Sequence, residues 1–107
     1  MKLAPIVLFV YNRPELTRKT LESLMANNLS EQSELYIFSD GPKISAGEND
    51  LSKVNEVRSI IRVKNWCGQV NITESDINKG LAKSIIDGIT LILNDFDKVI
   101  VDNTITP

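Results

Sequence analysis

The sequence predicts an α/β fold, an open sheet of parallel strands with helices on both faces. Short, almost wholly apolar runs occupy residues 5–11, 35–38 and 98–101, and such runs are typical of strands that are buried on both sides. The segments between them carry apolar residues at helical spacing, which is typical of amphipathic helices. Because each connection is long enough to hold a helix, the strands that it joins are expected to be parallel.

The first half of the chain predicts two strands and the helix between them. After the first strand, Asn12 is expected to act as the N-cap of a helix, and Pro14 suits a first helical turn. The helical stripe continues until Asn27 and Asn28 interrupt it. The second strand covers residues 35–38 and ends at the turn sequence of residues 39–42, where glycine and proline prevent further strand.

The second half predicts two more helices and two more strands. Apolar residues recur every three or four positions from about 47 to 64, which indicates an amphipathic helix. Residues 70–75 alternate between apolar and polar, as a strand at a sheet edge does. A third helix is expected to begin within residues 76–80 and to end near residues 94–95, and the fourth strand covers residues 98–101.

These elements predict one domain over residues 1–107, in the order β-α-β-α-β-α-β. With the third strand at an edge and right-handed crossovers, the expected spatial order is 3-2-1-4. The result is a three-layer, Rossmann-like open sheet. Its chain direction reverses between strands one and four, and a crevice opens there at their carboxyl ends.

The composition limits the chemistry that this chain can perform. It has 107 residues, 12 Lys and Arg against 14 Asp and Glu, a net charge of −2, no histidine and one cysteine, Cys67. The missing histidines exclude Ser-His-Asp and Cys-His catalysis, and a single thiol forms neither an intrachain disulfide nor a CxxC motif. We therefore expect a buried or unreactive Cys67 and a cytoplasmic location. The acidic balance disfavours nucleic-acid binding, and the apolar N-terminal run is too short to span a membrane.

Open α/β sheets bind ligands at the carboxyl ends of their strands, and polar residues collect at four such places in this sequence. The candidate binding residues there are Tyr11, Asn12, Arg13, Asp40, Asn78, Gly80, Lys83 and Asp102. Cations and a helix N-terminus attract phosphate, and the Asp40 carboxylate can accept from the N–H of a base. We therefore expect an anionic ligand that carries a base.

Each candidate also has an interpretation that involves no ligand. The Ser39-Asp40-Gly41 segment forms turns whatever a protein does, and surface arginines and lysines are commonly solvated. Gly80 permits a tight entry into a helix. Asp102 is explained equally well as a residue near the chain end and as a metal ligand.

Missing motifs exclude several nucleotide-binding folds. No GxxxxGK[ST] or GxGxxG segment follows a strand, so phosphate-loop nucleotidases and dinucleotide-binding dehydrogenases are ruled out. A response-regulator receiver domain needs an acidic cluster after strand one, where this chain has Tyr11, Asn12 and Arg13. A nucleotidyltransferase-like domain stays open as a lower-ranked alternative, although its glycine-rich loop is absent.

Four segments, in this order, resemble the N-terminal half of nucleotide-sugar glycosyltransferases of the GT-A type, close to family 2. They are IVLFVYNRP at 6–14, LYIFSDGPK at 35–43, NKGLAKSIIDG at 78–88 and KVIV at 98–101. The resemblance that they carry extends over essentially the whole chain. The resemblance implies a domain that binds a nucleoside-diphosphate sugar, with UDP- or GDP-sugars as the expected donors.

The resemblance implies roles for the residues after the first two strands. Tyr11, Asn12 and Arg13 would contact the nucleobase and the ribose. Asp40 would bind the uracil or another base. These roles place the nucleoside over the carboxyl ends of strands one and two.

The resemblance also implies a diphosphate region and a metal. Asn78, Gly80 and Lys83 would line the diphosphate, and Asp102 would stand where the family carries a DxD-like motif for Mn²⁺ or Mg²⁺. Here Asp102 is followed by Asn103 and Thr104 rather than by further acids, so one strong metal ligand remains.

The half of the family that binds the acceptor and supplies the general base has no counterpart in this sequence. We therefore expect the chain alone to bind a donor without turning it over, because transfer needs a base or its equivalent. The alternative is a remnant that acts as a binding or self-association module. Apolar surface left uncovered by a missing half would favour a homodimer.

Overall fold

The computed structural model describes residues 5–26, 32–93 and 100–103, and these form an α/β domain. Its elements are β1 (Ile6–Val10), α1 (Pro14–Met25), β2 (Glu34–Ser39), α2 (Glu48–Arg62), β3 (Gln69–Glu74), α3 (Leu81–Leu93) and β4 (Ile100–Asn103). The predicted α/β class, with its parallel sheet and three helices, is confirmed. In the described ranges, no helix is both long and apolar enough to cross a membrane.

The sheet is parallel throughout and brings the strand ends to one edge. β2 lies between β3 and β1, with Leu8 of β1 opposite Ile37 of β2 and Ile72 of β3 beyond it. The predicted order 3-2-1, with β3 at the edge, is confirmed. The backbone of β4 pairs in parallel with the other side of β1, so the sheet reads β3-β2-β1-β4.

Alternate residues of β1 point into two different cores. Leu8 and Val10 pack on one face with side chains from α1 and α2, among them Leu21 and Val57. Val7 and Phe9 pack on the other face with Ile92 and its neighbours on α3. The helices therefore cover both faces, which explains why β1 is apolar at every position.

Cys67 belongs to the core on the α1 and α2 face, as expected for an unreactive thiol. Only 6% of its surface is exposed. Burial raises the pKa of the Cys67 thiol because the interior disfavours the charged thiolate.

Strand and helix ends differ from their predictions by one or two residues in several places, and two of these differences concern candidate residues. Arg13, not Asn12, is the N-cap of α1, and it makes no side-chain capping bond. Pro14 pre-sets the backbone of the first turn, and Glu15 complements the helix dipole, so the helix begins without an Asn cap. Asp102 lies within β4 rather than after it, because its backbone pairs opposite Leu8.

Several predicted ends lie outside the described residues. They are the Asn27-Asn28 break after the first helix, the end of the third helix at residues 94–95 and the first half of the fourth strand at residues 98–99. α1 is described as far as Met25, with Ala26 as its C-cap, and α3 as far as Leu93.

Candidate functional site

The loops that follow β1, β2 and β3 meet at the carboxyl edge of the sheet. We call this region the carboxyl rim; it consists of residues 11–13, 40–43 and 75–80. The backbone N–H of Asp40 donates to the carbonyl of Val10 at 3.1 Å. The Tyr11 hydroxyl accepts from the backbone N–H of Lys43 at 3.3 Å. Candidate residues that are distant in sequence therefore share one side of the molecule, as the parallel topology predicted.

Asp40 lies at the centre of the carboxyl rim, and its carboxylate is used within the protein. The residue is 5% exposed. Oδ1 accepts from the backbone N–H groups of Gly41 and Lys79 at 2.9 and 2.8 Å. Oδ2 accepts from the backbone N–H of Gly80 at 3.1 Å and from Nδ2 of Asn78 at 3.3 Å.

These four bonds occupy the acceptor capacity of the Asp40 carboxylate, since its two oxygens offer about four lone-pair sites. They also place a negative charge at the N-terminus of α3, where the free N–H groups and the helix dipole favour an anion. In this arrangement a base N–H would have to displace one of the four donors. The sequence-based role of Asp40 as a contact for the base stays a prediction.

Asn78 and Gly80 lie at the carboxyl rim, but both face Asp40. Asn78 also donates to the carbonyl of Gly41 at 2.9 Å, so its side-chain amide joins two loops. Gly80 has a φ of +81°, in the left-handed region that favours glycine. That conformation directs its N–H towards the Asp40 carboxylate just before α3 begins. Their role along a diphosphate stays a prediction.

The residues after β1 differ in how accessible they are. Tyr11 is buried, with 9% of its surface exposed. Asn12 is half-buried and its Nδ2 donates to Oδ1 of Asp50 at 3.3 Å. Arg13 is exposed at the start of α1. Of these three residues, Arg13 is thus the one most open to a ligand.

Lys79, just before α3, and Lys83, in its first turn, both pair with the carboxylate of Asp87. The Nζ atoms of Lys79 and Lys83 each lie 3.5 Å from Oδ2 of Asp87. One negative charge between two ammonium groups leaves a net positive charge there, within an acidic chain. A cleft of about 130 Å³ adjoins them, lined by Lys79, Asp87, Phe38 and Ser84 among others.

Arg58 is a residue of this region that sequence reasoning missed. It extends from α2 to the ends of β2 and β3, where its Nε donates to Oγ of Ser39 at 3.0 Å. Its Nη2 donates to the carbonyls of Asp40 at 3.2 Å and Ser75 at 2.8 Å. A signal was available, because Arg58 follows Val54 by four positions in the core-facing stripe, where a charged side chain needs partners.

Asp102, the expected metal ligand, is described only in its backbone. The side chain of Asp102 and all of Thr104 lie outside the described residues. Among the residues that are described, no group of three or more Asp, Glu or Cys side chains is arranged to hold a metal ion. The described rim thus offers no donor set of three such side chains for Mn²⁺ or Mg²⁺.

Comparisons of the chain with protein-family models, with curated proteins and with solved structures found no match.

Proposed function

We propose that the chain is the donor-binding part of a nucleotide-sugar glycosyltransferase and binds a UDP- or GDP-sugar at the carboxyl rim. The observation that carries this proposal is that Tyr11, Asp40 and Gly80 lie at one edge of a parallel sheet. Ligands of open α/β sheets bind at that edge. The Rossmann-like description of the domain belongs to the same proposal, as does a cytoplasmic location for an enzyme that uses such donors.

Accessible cations supply the attraction for the diphosphate. Arg13 is exposed, and the side chains of Lys79 and Lys83 are 37% and 66% exposed beside Asp87. A phosphate group placed near this pair would gain charge-assisted hydrogen bonds. Asp40 contributes indirectly, because its carboxylate accepts from the backbone N–H of Lys79 and so fixes the loop that carries this lysine.

The chain alone is proposed to bind without catalysis. In the whole reaction, an acceptor hydroxyl attacks the anomeric carbon of the sugar and the nucleoside diphosphate leaves. That hydroxyl must lose a proton to a base, and none of the described rim residues is proposed for that role. Asp102 is proposed as the one protein ligand for a divalent cation. Donor binding is therefore to be measured both with and without added metal.

The test is a titration of the ¹⁵N-labelled chain with UDP-glucose and GDP-mannose, each with and without Mg²⁺, followed by amide chemical shifts. Shifts are expected at residues 11–13, 40–43 and 78–83, with none along the exposed face of α2. Calorimetry with Mn²⁺ gives the affinity and its metal dependence. The absence of heat and of shifts with every nucleotide up to millimolar concentration would refute donor binding.

Two pairs of variants locate the binding. Lys83→Ala removes a cation on α3 beside Lys79 and Asp87, whereas Lys53→Ala removes an exposed cation on α2. Arg13→Ala and Arg18→Ala form the second pair on either side of the start of α1. We expect Lys83→Ala and Arg13→Ala each to weaken binding about tenfold, with less than twofold change in the two controls. Equal losses within either pair would indicate nonspecific charge attraction.

Exposed apolar side chains on α3 favour a second candidate function, self-association. Ile86, Leu91 and Leu93 are 64%, 55% and 46% exposed, and exposed apolar surface promotes association. Sedimentation at rising concentration tests this, and Ile86→Lys should shift the chain towards monomer, whereas Ser52→Lys at an exposed position of α2 should not. A monomer at every concentration would remove this candidate.

A further inference from the structure

Arg58 contacts the ends of two strands and the loops that leave them, yet it belongs to a helix outside the carboxyl rim. Besides the bonds already described, its Nη2 lies 3.5 Å from the carbonyl of Ser39. The guanidinium thus reaches consecutive carbonyls at the end of β2 and one carbonyl just beyond β3. The Ser39 carbonyl also accepts from the backbone N–H of Ser75 at 2.9 Å. The carbonyls of Asp40 and Ser75 lie beyond the strand ends, where a buried carbonyl needs a partner outside the ladder.

The position of these carbonyls sets the position of Asp40. Asp40 follows Ser39 directly, and its own carbonyl accepts from Arg58. On the other side, Ser75 begins the segment that delivers Lys79 and Gly80 to the Asp40 carboxylate. The rigid, planar guanidinium of Arg58 therefore fixes both the backbone at Asp40 and the start of the 75–80 segment.

We propose that Arg58 is a positioning residue for ligand binding at the carboxyl rim. It acts through Asp40 and the 75–80 segment, and it does not touch the ligand. The affinity for a nucleoside diphosphate then depends on a side chain on the α2 side of the sheet. This inference rests on the proposed function only where it concerns affinity.

The test compares Arg58→Ala and Arg58→Lys with Arg62→Ala. Arg62 is the matched control because it lies on the same helix and pairs with Glu74 near the end of β3, but it has no bond to the rim loops among the described residues. Two readouts are taken: the amide shifts of Gly41, Lys79 and Gly80 without ligand, and the dissociation constant for UDP and GDP. Global unfolding in urea shows that each variant is folded.

In Arg58→Ala we expect displaced rim amides and about tenfold weaker nucleotide binding, with less than twofold change in Arg62→Ala. Free guanidinium ion at millimolar concentration should partly restore both readouts, which a general loss of stability would not allow. Arg58→Lys keeps the charge without the planar fork, so its rim amides should also move.

Unchanged rim amides in a folded Arg58→Lys or Arg58→Ala chain would overturn the proposal, and so would equal effects of Arg62→Ala. If the unaltered chain binds no nucleotide, the proposed function fails on its own. The ligand-free amide shifts still decide whether Arg58 positions the rim. If Arg58→Ala does not fold, the Arg58→Lys shifts decide the same question.

Discussion

Asp40 connects parts of the chain that are far apart in sequence. Its partners Asn78, Lys79 and Gly80 follow it by 38, 39 and 40 positions. Buried backbone N–H groups need an acceptor, and a carboxylate satisfies several of them with charge-assisted bonds. Asp40 therefore stabilises the fold at the same place where a ligand is proposed to bind.

Replacing Asp40 with Asn tests that structural role. The amide keeps one acceptor oxygen and turns an NH₂ group towards backbone N–H donors, so buried groups lose their partner. We expect Asp40→Asn to lower the free energy of unfolding by about 3 kcal/mol, measured by urea denaturation. Asp76→Asn, at an exposed position of the same rim, should change it by less than about 0.5 kcal/mol. Similar stabilities for the two variants would contradict this role.

The sequence predicted where Asp40 lies but not what it binds. Its place at the edge follows from the end of an apolar strand, which is a local signal. Its hydrogen-bond partners depend on how the segment before α3 folds back over the sheet, and no local pattern encodes that path. Gly80 was identified as a helix entry, and its positive φ explains why glycine is needed there.

Between β2 and α2, Gly41 is fixed by close approach rather than by its own dihedral angles. A Cβ at Gly41 would lie 2.6 Å from the carbonyl oxygen of Ile77 and 2.7 Å from that of Ser75. Both neighbours are backbone atoms that hold the rim loops together, so they cannot turn aside as a side chain can. The segment after β3 is therefore packed directly on this glycine.

Gly41→Ala is accordingly expected to lower the free energy of unfolding by about 2–3 kcal/mol. Gly47→Ala is the control, since a Cβ at Gly47 meets nothing within 4 Å, and it should cost less than about 1 kcal/mol as an N-cap replacement. Urea denaturation of both variants gives the comparison. A tolerated Gly41→Ala would mean that the rim loops pack less closely than described.

Gly88 permits α3 to lie close to two stacked aromatic rings. Phe9 and Phe38 stack with centroids 5.5 Å apart, and a Cβ at Gly88 would lie 2.9 Å from Cε1 of Phe9. Gly88→Ala gains about 1 kcal/mol of helix propensity but overpacks the core at a cost of about 1–3 kcal/mol. We expect a net loss of about 1 kcal/mol in thermal unfolding, whereas Thr90→Ala on the exposed side of α3 should be neutral or stabilising. A gain in Gly88→Ala would show that the rings move aside easily.

Elements with strong patterns were predictable, and their ends were less so. Continuous apolar runs identified β1 and β2, because β1 is buried on both faces and β2 is buried on one face and half-buried on the other. The expected Asn12 cap was wrong because Pro14 and Glu15 start α1 without a side-chain cap. The role of Arg58 was not predictable, because the sequence shows a charged residue within a core-facing stripe but not the strand-end groups that it binds.

At the scale of the whole molecule, the sheet separates two cores, and the one on the α1 and α2 face contains a tryptophan and a cysteine. Cys67 and Trp66 both belong to the core on the α1 and α2 face and are 6% and 2% exposed. The helix and strand patterns did not mark Trp66 as core, since it lies in the connection between α2 and β3; a buried Cys67 was expected only because the chain has no second thiol. Tertiary packing buried them beneath α2.

The buried thiol gives a probe of the global fold. Because Cys67 is 6% exposed, it should react with a thiol reagent such as DTNB at least about 100-fold more slowly in the native chain than in urea. A rapid native reaction would mean that the core on this face opens locally.

The raised pKa of Cys67 in the folded chain also predicts that the free energy of unfolding decreases at alkaline pH. The unfolded thiol titrates near its ordinary value of 9.0, whereas the folded thiol keeps its proton to higher pH. Above pH 9.0 the unfolded state therefore binds fewer protons, and stability falls as pH rises towards the folded pKa. The contribution is fully present below the unfolded pKa. The measurement is the difference in slope between the unaltered chain and Cys67→Ala from urea unfolding at pH 8 to 10, because the two chains share every other titratable group. Parallel slopes for the two chains would contradict a folded state that holds this proton more tightly.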